Sequence, residues 1–370
     1  MNKTIYKKDN KNKIRFINFE VTGPMLIQSS GVIDTLCPIV QVKTCVGKNI
    51  GRSNETTPEQ QALLEFNSRL KRKLDKEYFL TEEEAKTVTV ILPMLAKKLE
   101  DEYSKIEWTN KDQHKYLQPK LDGMRCLVIN DELISRDNKN IMVTGGGSMQ
   151  HIVDELVELR KLISEEIAID GELYCHGISF QENMKLIKKK RPNSTEIKFY
   201  VYDVISETNY MNRYDFIKRI ISNDFKYITV CPTIRINSEE ELNKYHDLFI
   251  TRGFEGSILR VGSKGYEMKR SSSLLKKKDF IDAAATITDI VPCEQRPTWG
   301  KPVCRVDVKD GDLEIGVTFD CNTKLSHADR EYMLAHPEEF IGKTAEIRYF
   351  ELTDKGKPRH PTYYGLRLDK

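Results

Sequence analysis

Lys120-Leu121-Asp122-Gly123-Met124-Arg125 is the stretch from which fold and chemistry are both read. A lysine amine attacks phosphorus or carbonyl carbon only when neutral, so a reactive lysine needs surroundings that depress its pKa. Gly123 lets the backbone approach a bulky ligand, and Arg125 can grip a ribose or phosphate. Runs this short also occur as exposed turns. Their weight depends on what the rest of the chain places around them.

Directly after the run, Cys126-Leu127-Val128-Ile129 and Glu132-Leu133-Ile134-Ser135 read as a hairpin turning at Asn130-Asp131. Ile152, Leu156, Leu159 and Ile163 form a helix stripe before a strand at Ile167-Ala168-Ile169. Ile197–Tyr202 is a further strand. Ser238 and Glu241 cap a helix carrying Leu242, Tyr245 and Phe249 that stops at Gly253. These elements define a mixed α/β region from Pro93 to about residue 280. After Asp279 come short strands at Thr286-Ile287, Val303–Val306, Ile315–Val317 and Ala345–Arg348. In roughly 90 residues that pattern suits a small Greek-key barrel of the OB type.

Ahead of Pro93, strand-like runs such as Ile14–Ile17 precede a helix. Thr57 caps it, Pro58 takes its first position and Gln60 completes a capping box. Leu63, Phe66, Leu70 and Leu74 are its expected buried face, while Arg69, Lys71, Arg72, Lys73 and Lys76 are its expected basic solvated face. The expected division is 1–92, 93–280 and 281–370.

With 370 residues, 31% charged and 39% hydrophobic, the chain has the composition of a soluble protein with two or three domains. Its net charge of +3 means that any affinity for nucleic acid rests on local patches. No apolar run approaches the roughly 20 residues that span a bilayer. The start, Met1-Asn2-Lys3-Thr4, lacks an apolar signal core, and an intracellular location follows. The eight cysteines form no C-x-x-C pair, so reduced thiols are expected rather than a structural zinc site.

Five clusters follow Lys120. Asp170-Gly171-Glu172-Leu173-Tyr174 is expected to end a strand and present a carboxylate to ribose hydroxyls. Tyr202 shares a strand face with Tyr200 and can stack on a base, leaving Phe199 and Val201 for the core. Glu255-Gly256-Ser257 supplies a second carboxylate for a hard divalent cation. Lys276 and Lys278 share one face of an extended segment, where two ammonium groups would neutralise a phosphate and disfavour a proton on Lys120. Arg367-Leu368-Asp369-Lys370 comes last.

In this order, the set resembles the covalent nucleotidyltransferases, and among them the ATP-dependent DNA ligases of compact viral or phage type, from Pro93 to Lys370. The resemblance implies an α+β fold: a nucleotidyltransferase domain of ATP-grasp-like antiparallel sheets with helices, then an OB-fold β-barrel, behind a small α+β N-terminal domain. It implies ATP and Mg²⁺ (or Mn²⁺) as cofactors and nicked duplex DNA as partner. Lys120 would carry AMP, and Gln118, Arg125, Glu172, Tyr202, Lys276 and Lys278 would bind the nucleotide. Glu255, with Glu172, would hold the metal. Ser135-Arg136 resembles the family's S-R motif, with Arg136 on the 5′-phosphate at the nick. Arg367, Asp369 and Lys370 would orient the pyrophosphate.

Gly51-Arg52 and the helix after it resemble the end of a WGR-type DNA-binding module, with Asn49-Ile50 in place of its tryptophan. On that reading Arg52, Arg69 and Lys73 touch duplex DNA. The expected protein is a monomer without membrane contact. It acts in repair, replication or recombination, in the cytoplasm of a bacterial or phage-infected cell rather than a nucleus. The alternatives are an mRNA-capping guanylyltransferase, an RNA ligase, or an inactive nick-binding protein.

Overall fold

The computed structural model describes residues 1–9, 12–74, 78–87, 91–163, 167–221, 225–294 and 296–367. Lys76, Asp369 and Lys370 lie outside the described residues. At the centre, the strand Lys115–Pro119 belongs to one five-stranded sheet and Met124–Ile129 to another. Residues 120–123 are therefore the crossing between two sheets, and the deciding run is a hinge of the architecture. The first sheet runs Ile234–Ile236, Lys115–Pro119, Ser257–Val261, Arg270–Lys277, Leu95–Lys98. The second runs Ile228–Val230, Lys198–Val204, Ile169–Tyr174, Met124–Ile129, Glu132–Ser135.

In the second sheet the expected hairpin forms, with Asn130 and Asp131 at φ 49° and 62°, the left-handed pair that a tight two-residue turn needs. Its inner face packs on the helices Gln150–Lys161 and Phe180–Lys188 through Ile152, Leu156, Leu159, Leu186 and Phe199, all essentially without solvent exposure. One expectation is corrected here. Asp170-Gly171-Glu172 does not end a strand; it lies within Ile169–Tyr174, paired on both sides. A Cβ on Gly171 would stand 2.5 Å from the Tyr200 carbonyl oxygen and 2.6 Å from the Phe199 ring. The glycine marks close packing inside a sheet rather than a turn, and the strand period places Asp170 and Glu172 on one face.

The N-terminal part is an antiparallel meander of Asn2–Lys8, Ile14–Thr22, Met25–Val32 and Ile39–Thr44, covered by the helix Pro58–Leu74. The capping box is present: Thr57 N–H donates to Gln60 Oε1 at 2.9 Å, and Gln60 N–H to Thr57 Oγ1 at 3.2 Å. The buried stripe differs from the expected one by a residue. Ala62 takes the place of Leu63, which is exposed, and Phe66 packs edge-on against Phe19 at 6.2 Å. Ala62, Phe66, Leu70 and Leu74 recur at every fourth position. Arg69 reaches Glu65 and Lys73 lies over the Tyr78 ring, so both flank the sheet rather than stand in a solvated row. Lys71 and Arg72 are exposed.

The last part is a six-stranded sheet in the order Thr318–Asp320, Arg296–Arg305, Ile281–Cys293, Thr344–Tyr349, Thr362–Leu366, Asn322–Thr323. Its two edge strands are separated by one residue, Cys321. A flat sheet cannot place its opposite edges one residue apart, so the sheet curls closed around Ile287, Cys304, Val306, Ile347 and Tyr363. The expected strand at Ile315–Val317 is a turn instead, with Gly316 at φ 86°, and pairing resumes at Thr318. The helix His327–Ala335 covers one side, burying Met333. Among the described residues, no helix is long and apolar enough to cross a membrane.

Candidate active site

A cleft of about 330 Å³ opens between the two five-stranded sheets, with Lys120 on its wall. The crossing loop is held from both directions: Lys120 N–H donates to the Gly256 carbonyl at 2.8 Å, and Glu255 N–H to the Lys120 carbonyl at 3.1 Å. This ladder sets the Lys120 ammonium against the Glu255 carboxylate, which also takes Lys278. Gly256 makes the approach possible. Its φ is 146°, and a Cβ there would sit 2.3 Å from the Lys277 carbonyl oxygen.

The lysine triplet resolves by strand alternation. Lys277 turns away and donates to Asn243 Oδ1 at 2.8 Å, while Lys276 lines the cleft and Lys278 meets Glu255. Burial lowers the Lys276 pKa, and the cations Lys120, Arg270, Lys98 and Arg136 lower it further. Burial is also the main cause for Lys278, pushed down to about 7, with Lys120 adding to it. Lys120 itself is lowered, chiefly by burial and additionally by Arg359, against the opposing pull of Glu172 and Asp122. Glu172 is raised to about 7 because burial outweighs Lys120 and Arg125. A lysine so placed reaches its neutral, nucleophilic form more readily than one in water.

Across the cleft stands the Tyr202 ring, with Arg125 5.6 Å and Arg260 5.3 Å from its centroid. Tyr202 Oη donates to Glu172 at 3.4 Å. Arg125 is fixed by the fully buried Asp170, with Nε to Oδ1 at 3.0 Å and Nη2 to Oδ2 at 2.5 Å, and Tyr266 donates to the same carboxylate. Gln118 lines the cleft, but its side chain is committed inward. Its Nε2 donates to Tyr210 Oη and Thr233 Oγ1, and its Oε1 accepts from Arg260 Nε at 2.7 Å.

Lys120, Gln118, Arg125, Glu172, Tyr202, Lys276 and Arg136 thus share one cleft, with Glu255 and Lys278 joined to it through Lys120. Ser135 does not share it. Its Oγ accepts from Lys139 N–H at 3.1 Å and shapes the turn that carries Arg136. Arg367 stands apart too, its backbone on Thr344 and its side chain in a separate depression of the barrel beside Thr286 and Lys309. Arg52, Arg69 and Lys73 belong to the N-terminal layer.

Three residues were not singled out in the sequence. Arg260 and Arg270 line the cleft, and Arg359 reaches from the barrel to the crossing loop. Arg260 had a signal, as a lone charge inside the apolar strand Ser257–Val261; it is 3% exposed and pairs with Asp203. Arg359 had none, since its partner is 237 residues away.

The family model described as the ATP dependent DNA ligase domain matches residues 93–278, and that of the DNA ligase OB-like domain matches 304–367. A DNA ligase of African swine fever virus (isolate Warthog/Namibia) is 25% identical over 351 residues, covering 87% of this chain and 78% of that one. The DNA ligase of Haemophilus influenzae is 28% identical over 202 residues, covering 53% and 70%. Two solved folds are similar: a Lig E DNA ligase, with TM-score 0.59 and 20% identity over 75% of this chain and all of that one, and Pmar-Lig, with TM-score 0.64 and 17% identity over 84% and 72%. The catalytic-domain model alone spans half of the chain, and with the barrel model beside it the protein belongs to the ATP-dependent DNA ligases.

Proposed function

We propose that this enzyme seals nicks in duplex DNA with Lys120 as the AMP carrier. The observation that carries the reading is the grouping of a half-buried lysine of lowered pKa with the Tyr202 ring, the Glu172 carboxylate and Lys276 around one cleft, with Lys278 beside it on Glu255. Neutral Lys120 Nζ attacks the α-phosphorus of ATP; the N–P bond forms as the bond to pyrophosphate breaks. Tyr202 stacks on adenine, while Glu172 and Arg125 meet the ribose. Lys276 and Lys278 face the α-phosphate, and Gln118 holds the wall beside the base. An oxygen of the 5′-phosphate at the nick, gripped by Arg136 at the turn built by Ser135, then displaces Lys120 from phosphorus. Finally the 3′-hydroxyl attacks that phosphate and AMP leaves. Such chemistry asks the protein mainly for positioning and charge neutralisation.

Glu255, a buried carboxylate on which Lys120 and Lys278 converge, and Glu172, on the cleft wall, are the carboxylates that would hold Mg²⁺ or Mn²⁺. Such ions take one or two carboxylates and complete their shell with phosphates and water. The metal would neutralise the phosphate charge. In the arrangement described, Arg367 lies away from Lys120, so its action on pyrophosphate, with Asp369 and Lys370, requires the barrel to turn.

The functional units on this reading are 1–92, 93–280 and 281–370, and one chain supplies every group. Residues 1–92 grip duplex DNA through Arg52, Arg69 and Lys73, in the reducing interior of a cell.

The test is sealing of a nicked duplex, DNA or RNA on either side, with ATP, GTP or NAD⁺ and Mg²⁺. ATP should label Lys120 and Lys120→Ala should abolish both label and sealing. GTP labelling would point to capping chemistry, and failure to seal DNA would overturn the reading. Deleting residues 1–92 should weaken nicked-DNA binding; undiminished binding would exclude the N-terminal grip.

A further inference from the structure

Outside the cleft, the described residues include a buried polar chain that the reaction does not use. His246, on the helix Glu239–Thr251, is 1% exposed. Its Nδ1 lies 2.7 Å from Ser257 Oγ and its Nε2 3.1 Å from Asp279 Oδ1. A carboxylate only accepts, so Nε2 carries the proton toward Asp279, and Nδ1 bonds the Ser257 hydroxyl, which can serve as donor or acceptor. Ser257 is too buried to act as a nucleophile, at 1% exposure. The arrangement is a tether.

What it ties together is specific. Ser257 begins the strand two residues after Glu255, and Asp279 follows Lys278 directly. Glu255 and Lys278 are the two groups that converge with Lys120. Asp279 is also where the chain leaves the Arg270–Lys277 strand, two residues before the barrel strand Ile281–Cys293 begins. The Asp279 side chain is 61% exposed, so little besides the imidazole restrains it. One ring therefore holds the metal-side carboxylate, the adjoining lysine and the exit of the barrel linker in a common frame.

We propose that His246 is a positioning residue of the ligase reaction. It fixes Lys278 against Glu255 and anchors the linker on which the barrel turns, acting chiefly through its bond to Asp279. The proposal rests on the roles given above to Lys120, Glu255 and Lys278. Its consequences fall on AMP transfer to Lys120, which needs both the lysine frame and the barrel, more than on the affinity for ATP.

The experiment measures the single-turnover rate of AMP transfer to Lys120 across ATP concentrations, alongside Tm, in His246→Ala, His246→Gln, His246→Asn and Asp279→Ala. Glutamine places its amide nitrogen where Nε2 stands, and asparagine only where Nδ1 stands. His246→Ala and Asp279→Ala should each lower the saturating rate about tenfold with little change in the ATP concentration needed for half-saturation, since small misplacements at a reacting centre act on the rate. His246→Gln should restore most of the rate and His246→Asn should not. The double alanine variant should be no slower than either single one, because both remove the same contact. Asp279 is exposed, so its variant should fold even if a cavity at position 246 lowers Tm. A wild-type rate in Asp279→Ala, or losses in the double variant that multiply, would overturn the proposal. Wild-type enzyme that takes up no AMP would instead overturn the function on which it rests.

Discussion

The Arg359 guanidinium of the barrel is ion-paired with Asp122, two residues after Lys120. Nη2 lies 3.2 Å from Asp122 Oδ1, Nη1 engages the other carboxylate oxygen and Glu351, and the guanidinium stacks 4.0 Å from the Phe180 ring centroid. One arginine thus docks the barrel on the crossing loop and decides how much of the Asp122 charge reaches Lys120.

Arg359→Ala should move the pH profile of AMP transfer to higher pH. Arg359 lowers the Lys120 pKa and Asp122 raises it. Without the arginine both changes favour the ammonium, so the neutral fraction at a given pH falls. A rise of about one unit slows transfer about tenfold on the acid limb and leaves the alkaline plateau in place. Quenched-flow labelling from pH 6 to 9 measures this, and an unmoved profile would contradict it.

Glu172→Gln should gain thermal stability over the wild type as pH rises from 4.5 to 7. The folded-state pKa of Glu172 is raised to about 7 by burial, so between these values the folded protein holds a proton that the unfolded chain has released. Stability falls with rising pH across that window, and glutamine removes the dependence. Paired Tm measurements at pH 5 and 7.5 test the sign, while ATP affinity should fall if, as proposed, the Glu172 carboxylate binds the ribose.

Tyr202→Phe should change the ATP KM by less than about threefold, because the hydroxyl's bond to Glu172 is long, at 3.4 Å. Tyr202→Ala removes the ring, worth about 1–3 kcal/mol in base stacking, or roughly 5- to 150-fold in KM. Steady-state kinetics distinguish the two. Equal losses in both variants would show that the hydroxyl rather than the ring binds nucleotide.

Gly123→Ala should cost about 1–3 kcal/mol of stability, as overpacking does, and reduce AMP transfer strongly. A Cβ at Gly123 would stand 2.3 Å from the Leu173 carbonyl oxygen and 3.0 Å from Glu172 Cγ. The crossing loop must therefore move away from the Ile169–Tyr174 strand. Urea unfolding with AMP labelling checks both effects, and full labelling would show that the loop tolerates the shift.

Local chemistry made much of this protein legible in the sequence. The Asn130-Asp131 turn, the Thr57 and Ser238 caps and the division of Phe199 and Val201 from Tyr202 depend on neighbours a few residues away, and all are found. The grouping of Lys120, Glu172, Tyr202 and Lys276 is what the resemblance to the nucleotidyltransferases implies, carried by these residue types in their order along the chain. Tertiary packing alone decided the rest. Gly171 lies inside a sheet because Phe199 and Tyr200 press on it; Leu63 yields to Ala62 because the helix rotates to meet Phe19; Arg359 and His246 find partners through domain and strand placement. The reason is range: turns, caps and alternation are set by covalent geometry over a few residues. Partners far apart in sequence meet only when whole sheets are docked, and no local pattern encodes where that docking brings them.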